Sequence, residues 1–240
     1  MTIVRSIPLY KKVSSEILKQ INKSSFPNNT LPSEEQLSAS LGTSKHTVRE
    51  ALAELKSQVY ISKRHGIGNT LIRSVLNTQF RIDANMNFIQ LLSRAGYAVT
   101  LEQSNFRIEN LTMLGFQEQN FYAYDEIMYA DNKPATTHHM YIPVAIFGQE
   151  DVLTECPRCS LFDVFSQHQI TAFHSIVEFV PEIADQETSN LFSLHLPSVI
   201  NTWDEIIYDQ NDRPICCTKL RFHPQIFPLR MVRRDFEIVE

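Results

Sequence analysis

The stretch "LGTSKHTVREAL", residues 41–52, decides how the rest of the chain is read. Val48 and Leu52, with Leu55 just beyond, recur at the spacing that lines apolar side chains along one helix face. Ser44 stands where an N-cap hydroxyl accepts from a free backbone N–H, and Gly42 where a preceding helix closes in the left-handed conformation. Lys45, His46, Thr47 and Arg49 then gather at the start of the new helix, largely off the apolar stripe. A surface helix needs charge for solubility. It does not need, crowded into one turn, groups able to meet base edges and phosphates. An ordinary helical pair with a solvated face is the alternative at this point.

Upstream, "PLYKKVSSEILKQINK" opens on Pro8, tolerated in a first helical turn, and Leu9, Val13, Ile17 and Ile21 recur every four residues. "NNTLPSEEQLSASLG" supplies a loop and a second helix start. Ser33 with Gln36 is a capping-box pair, Glu34 and Glu35 suit the positive end of the helix dipole, and Leu37 and Leu41 face inward. Helix, short turn, and helix with polar residues at its start is the helix-turn-helix pattern, whose second helix enters the major groove. Downstream, "YISKRHGIGNTLI" sets two β-prone runs, residues 60–62 and 69–72, around Lys63, Arg64, His65 and Gly66. Gly66 and Gly68 free the backbone for a tight hairpin, which reads as the wing of a winged helix with its basic tip toward phosphates or the minor groove.

With the wing in place, residues 8–73 resemble the DNA-binding domain of the GntR family of bacterial transcription regulators, through "PLYKKVSSEIL", "LPSEEQL", "SKHTVREALAEL" and "YISKRHGIG" in continuous order. The resemblance implies a DNA-binding domain over residues 1–73. It places DNA contacts at Lys45, His46, Thr47 and Arg49 and, in the wing, at His65 and Gly66, with the basic Arg64 beside them. Two positions depart from the family's pattern: Val59 stands where members usually have Gly, and Lys45 where they often have Arg. Lysine is a point charge and lacks arginine's bidentate fork.

Residues 74–84, "SVLNTQFRIDA", carry no strong period and read as a linker. "NMNFIQLLSRAGYAVT" then gives a short helix stopped by Gly96. β-prone stretches follow: "VTLEQSNFRIE", "YAYDEIMYAD", "ATTHHMYIP", "HSIVEFVPEIA", "TWDEIIYD" and "CCTKLRFHP". Turn signals at residues 131–134 and 211–214 read as hairpins, and helical pieces fall near residues 161–167 and 185–194. The pattern is α+β with a largely antiparallel sheet. The hairpins "YADNKPAT" and "YDQNDRPIC" look alike, which points either to a pseudo-repeat or to two unrelated hairpins sharing common turn residues.

Residues 85–240 resemble the UTRA effector domain of the HutC subfamily, a chorismate-lyase-like fold, through "NFIQLLSRAG", "IMYADNKPATTHHMYIP", "CSLFDVF" and "IIYDQNDRPICC". The resemblance implies a small-molecule pocket lined by Asn87, Glu126, Met128, His138, Tyr141, Ser160 and Cys216. Where sugar-phosphate-sensing members carry two arginines, this chain has Glu126 and Met128. His138 and Cys216 replace glutamates, and Ser160 is retained at a helix start, where it could meet an anion. The pocket is rebuilt, and an ordinary phosphosugar is not its expected effector.

Charge supports two domains. The 240 residues carry a net −5, but residues 1–73 hold eleven Lys/Arg against five Asp/Glu, and residues 74–240 hold eleven against twenty-two. Phosphate backbones attract the head and repel the body. Apolar residues make up 43% of the chain, enough for a real core; no run of eighteen apolar residues predicts a membrane span, and no secretory signal opens the sequence. Four cysteines suit a reducing compartment, so a cytoplasmic protein is expected. "CPRC", Cys156 to Cys159, could bind zinc with Cys216, Cys217, His138 or His139, but one CxxC without a second spaced pair is weak, and neither a metal nor a cofactor is expected.

The two resemblances together imply a ligand-responsive bacterial transcription regulator, most simply a repressor. It binds double-stranded, pseudo-palindromic operator DNA as a homodimer and senses a small-molecule effector, with no membrane partner. The alternatives are a metal- or redox-sensing regulator, or an enzyme on the chorismate-lyase-like fold with Glu126 and His138 as an acid–base pair. No nucleophile motif or Gly-rich phosphate loop supports the enzyme.

Overall fold

The structure, a computed structural model, describes residues 8–23, 26–84, 86–113, 115–147 and 161–233. It divides into two compact units, Met1–Asn87 with Leu229–Glu240, and Phe88–Pro228.

In the first unit, α1 (Leu9–Lys23) packs on α3 (Lys45–Ser57), and α2 (Glu34–Leu41) crosses the end of α3. Val13, Ile17, Ile21, Leu37, Val48, Leu52 and Leu55 are all buried in one cluster, each burial favouring the fold by about 1.5–3 kcal/mol. Leu9, read as part of the α1 stripe, lies beyond that cluster and is exposed. The expected caps are present. Ser33 Oγ accepts from Gln36 N while Gln36 Oε1 accepts from Ser33 N, Gly42 closes α2 at φ 62°, and Ser44 Oγ accepts from Thr47 N. β1 (Ile61–Arg64) and β2 (Gly68–Leu71) form the hairpin, with Gly66 and Gly68 at φ 73° and 104°. The turn from α3 into β1 forms without a glycine: Val59 takes φ 61°, Val59 N bonds Lys56 O and Tyr60 N bonds Leu55 O.

Residues 74–84 are not a bare tether. A single helical turn, α4 (Arg73–Leu76), buries Val75 and Leu76 in the first unit's core. Arg81 is buried to 1% exposure, stands over the Tyr60 ring, and donates to Gln58 O and to both carboxylate oxygens of Asp83. The returning chain closes on it: Ile82 N bonds Arg230 O, Arg230 N bonds Phe80 O, and Val232 N bonds Asp83 Oδ1. The compact units therefore part at 87/88 and again at 228/229, not at the ends of an independent linker. Sequence could not show this, because the stretch is paired by residues about 150 positions away.

The second unit opens with α5 (Phe88–Arg94) and holds a six-stranded antiparallel sheet. Its strands are β3 (Val99–Met113), β4 (Phe116–Ala130), β5 (Lys133–Pro143), β6 (Ala172–Ile183), β7 (Val199–Asp209) and β8 (Pro214–Phe222). Their order is β3-β4-β5-β8-β7-β6. α6 (Leu161–Gln167) precedes β6, and α7 (Gln186–Phe192) sits between β6 and β7. The two similar hairpins are thus equivalent in topology: α5-β3-β4-β5 meets α6-β6-β7-β8 at the β5·β8 pair. With Pro134 matched to Pro214, His139 and Lys219 are equivalent and directly opposed, so that ladder is symmetric about them. Asp131 and Asn132 take φ 49° and 63°, the conformation of a two-residue hairpin loop that Asp and Asn tolerate.

Candidate functional site

The first region is the start of α3. Lys45, His46 and Arg49 are exposed, on the side away from buried Val48, Ala51 and Leu52. Thr47 is half-buried and its hydroxyl lies 2.9 Å from Ser44 Oγ, so it serves the cap as well as the surface. In the hairpin, Lys63, Arg64, His65 and Gly66 are exposed, and the turn at residues 65–67 is closed by Ile67 N to Arg64 O. β1 runs two residues further than expected, to Arg64. A sharp positive edge and an exposed helix N-terminus in one compact unit are the means by which a helix-turn-helix meets a groove and its flanking phosphates.

The second region is the face of the large sheet that α5 and α6 cover. Phe88 of α5 packs edge-on against His138, Trp203 and Phe222, and Leu161 and Phe165 of α6 join Tyr124, Met140, Ile142 and Cys216. Glu126 and His138 are directly opposed on β4 and β5, with Glu126 Oε1 3.6 Å from His138 Nδ1. Met128, opposite Thr136, is next along. Gln103 Nε2 donates to Glu126 Oε2 at 2.7 Å, and Thr136 Oγ1 lies 2.8 Å from His138 Nε2. Burial pushes the Glu126 carboxyl up against the Gln103 hydrogen bond. Burial, with a smaller contribution from His139, pulls His138 down to about 3, so the imidazole is neutral near pH 7. Cys216 is wholly buried; burial first, then Cys217 and Glu205, hold its thiol well above the ordinary range.

Tyr141 is not with them. On a strand, positions 138 and 141 point to opposite faces. Tyr141, opposite Cys217, packs with Phe116, Phe121 and Ile206 on the other side of the sheet. There it lines a separate cavity of about 430 Å³. Asn87 is exposed at the entry to α5. Ser160, Cys156 and Cys159 lie outside the described residues. Among the described residues, no three His, Cys, Asp or Glu side chains gather as a metal site.

Comparison with known proteins covers both units of the chain. Residues 9–71 match the bacterial regulatory proteins of the gntR family, and residues 107–228, just over half of the chain, match the UTRA domain. The chain belongs to the GntR family and carries a UTRA domain. It is 23% identical over 235 residues to the uncharacterized HTH-type transcriptional regulator YurK of Bacillus subtilis (strain 168), spanning 91% of this chain and 92% of that one. It is 24% identical over 197 residues to the histidine utilization repressor of Pseudomonas putida, spanning 78% and 77%. The crystal structure of a possible transcriptional regulator, YydK, of Bacillus subtilis superposes with a TM-score of 0.73 at 15% identity, over 95% of this chain and all of that one. All three are described as transcriptional regulators or repressors. No helix of the described residues is long and apolar enough to cross a membrane.

Several residues of this GntR-family chain escaped sequence reading. Gln103 and Thr136 hold Glu126 and His138, and Glu205, whose carboxyl burial pushes up, stands on the same helix-covered face. Strand parity marks Thr136 and Glu205 as inward-facing. Gln103 needs the β3·β4 register, which sequence does not print. Glu34 and Glu35 reach across to Arg49 and Lys45, a pairing that depends on how α2 crosses α3.

Proposed function

We propose that this regulator is a homodimeric repressor, which reads a pseudo-palindromic operator with the winged helix of residues 1–73 and releases it when a small metabolite binds the domain of residues 85–240. Residues 74–84 then form part of the DNA-binding unit's packing. The supporting observation is that one compact unit carries both the cluster of exposed Lys45, His46 and Arg49 and the basic hairpin of Arg64, His65 and Gly66. Thr47 contributes from the cap. Two half-sites require two winged helices, hence the dimer. A cytoplasmic location follows from the DNA target.

The effector side is acidic. Strand positions facing α5 and α6 include Glu126, Glu205 and His138, and no Lys or Arg among the described residues. We assign Glu126, Met128 and His138 to the pocket, with Cys216 in its floor and Tyr141 outside it; Asn87 and Ser160 are proposed as effector-binding on the resemblance alone. A ligand with a cationic or hydrogen-donating group suits this face. A phosphosugar forgoes two charge-assisted bonds of about 1.5–3 kcal/mol each, on the order of a hundredfold or more in affinity.

Fluorescence anisotropy on the operator, selected from the neighbouring promoter region, tests the reading. Arg49→Ala should weaken binding by about 1–3 kcal/mol, and His65→Ala by less. Amino acids and other ammonium-bearing metabolites should release wild-type protein where phosphosugars do not. Full operator affinity in a folded Arg49→Ala protein overturns the DNA assignment. Release by a phosphosugar overturns the effector class.

A further inference from the structure

The cations of the reading helix are already occupied. Lys45 Nζ lies 2.7 Å from Glu35 Oε1, Arg49 Nε and NH2 donate to Glu34 Oε2 at 3.2 and 3.0 Å, and His46 Nε2 lies 3.6 Å from Glu50 Oε1. Every basic side chain at the start of α3 therefore faces a carboxylate. The hairpin is different: among the described residues, Lys63, Arg64 and His65 show no carboxylate partner. One unit thus carries a neutralised tip and a bare basic wing.

Stability does not account for the tip. The Lys45–Glu35 pair is exposed on both sides, at 57% and 77% of the side chain, and such pairs contribute little. Placement in the first turn of α2 satisfies the helix dipole, but it does not require either carboxylate to reach α3. Their consequence lies outside the fold. Any phosphate approaching the tip meets Glu34 and Glu35 as like charges, and a cation must leave its carboxylate to take it. A base edge with acceptors in the right places offers hydrogen bonds that offset that exchange. A bare backbone offers only charge.

Resting on the DNA-binding reading above, we propose that Glu34 and Glu35 are specificity-determining residues of the reading helix: they hold Lys45 and Arg49 in place in the free protein and suppress binding to DNA that presents phosphates alone. Non-specific affinity then comes chiefly from the wing, and the tip acts only where bases reward it.

The test uses full-length protein and a fluorescein-labelled duplex of random sequence, titrated at 50 and 200 mM KCl. Glu35→Gln keeps the shape and removes the charge, and its melting curve should match wild type. It should bind the random duplex about threefold or more tighter at 50 mM. One added phosphate contact steepens the salt dependence by about 0.9, so the variant should lose about 3.5-fold more affinity than wild type across that range. Glu16→Gln removes the same charge from α1, where it pairs with Lys19, and should have a clearly smaller effect. Equal affinity and slope for Glu35→Gln and wild type overturn the proposal, as does an equal effect of Glu16→Gln, which would reduce it to net charge. The double variant Lys63→Ala/Arg64→Ala separates the two readings. If it binds the random duplex as well as wild type does, the DNA-binding reading fails. If it binds less well while Glu35→Gln changes nothing, only the present inference fails.

Discussion

Val59 sits at φ 61°, a conformation that costs a β-branched residue and costs glycine almost nothing. Family members usually carry Gly there, and the geometry supplies the reason: the chain must reverse in one residue between the end of α3 and β1. Val59→Gly should raise stability by about 1 kcal/mol in denaturant titration, with strain relief outweighing the loss of a half-buried side chain. A fall instead would show that Val59's packing on the core dominates. His138 sets a second residue-scale expectation. Its folded value of about 3 lies below the unfolded value of about 6.5, so between those limits the unfolded chain binds the extra proton. Stability is then full above about pH 6.5 and declines as pH falls toward 3, by up to about 1.4 kcal/mol per pH unit. Glu126, raised by burial, works in the opposite sense from its ordinary value of about 4.5 upward. Unfolding free energies at pH 5.5 and 7.5 should converge in His138→Gln relative to wild type; an unchanged difference places the acid sensitivity elsewhere.

At the scale of elements, the stretch 74–84 and the returning segment at 230–232 hold each other against the winged helix. Arg81 is the hub: its guanidinium reaches Gln58 O at the end of α3, the Tyr60 ring and Asp83, with almost no solvent contact. Arg81→Met keeps the bulk and removes the charge, which leaves Asp83 and a backbone carbonyl without their buried partner. It should destabilise the first unit by about 3 kcal/mol. Limited proteolysis should then cut within 74–84 in the variant while wild type resists there. Cleavage of wild type in that stretch at low protease would contradict the docked arrangement.

At the scale of the whole molecule, the proposed homodimer needs a surface on which two copies meet. β6 is an edge strand of twelve residues, with no strand partner on its outer side among the described residues. Phe173, Ile176 and Ile183 along it are 71%, 61% and 72% exposed. An edge of that length and apolarity invites pairing with another chain. Sedimentation should find wild type as a dimer at micromolar concentration and Ile176→Lys/Ile183→Lys as a folded monomer. A dimeric variant would move the interface away from β6.

Local signals determined a great deal here. The caps at Ser33, Gly42 and Ser44, the stripes of α1 and α3, the glycines of the wing and the six β-prone runs all act through neighbours within a few residues, so they were legible in sequence. The likeness of the two hairpins was visible in sequence, but their topological equivalence was not. Parity was legible too, since the period of two turns Tyr141 to the face opposite His138; the opposition of Glu126 and His138 was not, because it rests on a register shift between Met128 and Tyr129. Other features belong to the tertiary structure alone. The β5·β8 pairing, the Gln103 hold on Glu126, the burial that keeps His138 neutral and the clamp of residues 230–232 on Arg81 join positions far apart in the chain. Such contacts exist only once hydrophobic burial has offset the entropy of bringing distant segments together, and no local pattern records which distant partner a polar group will find.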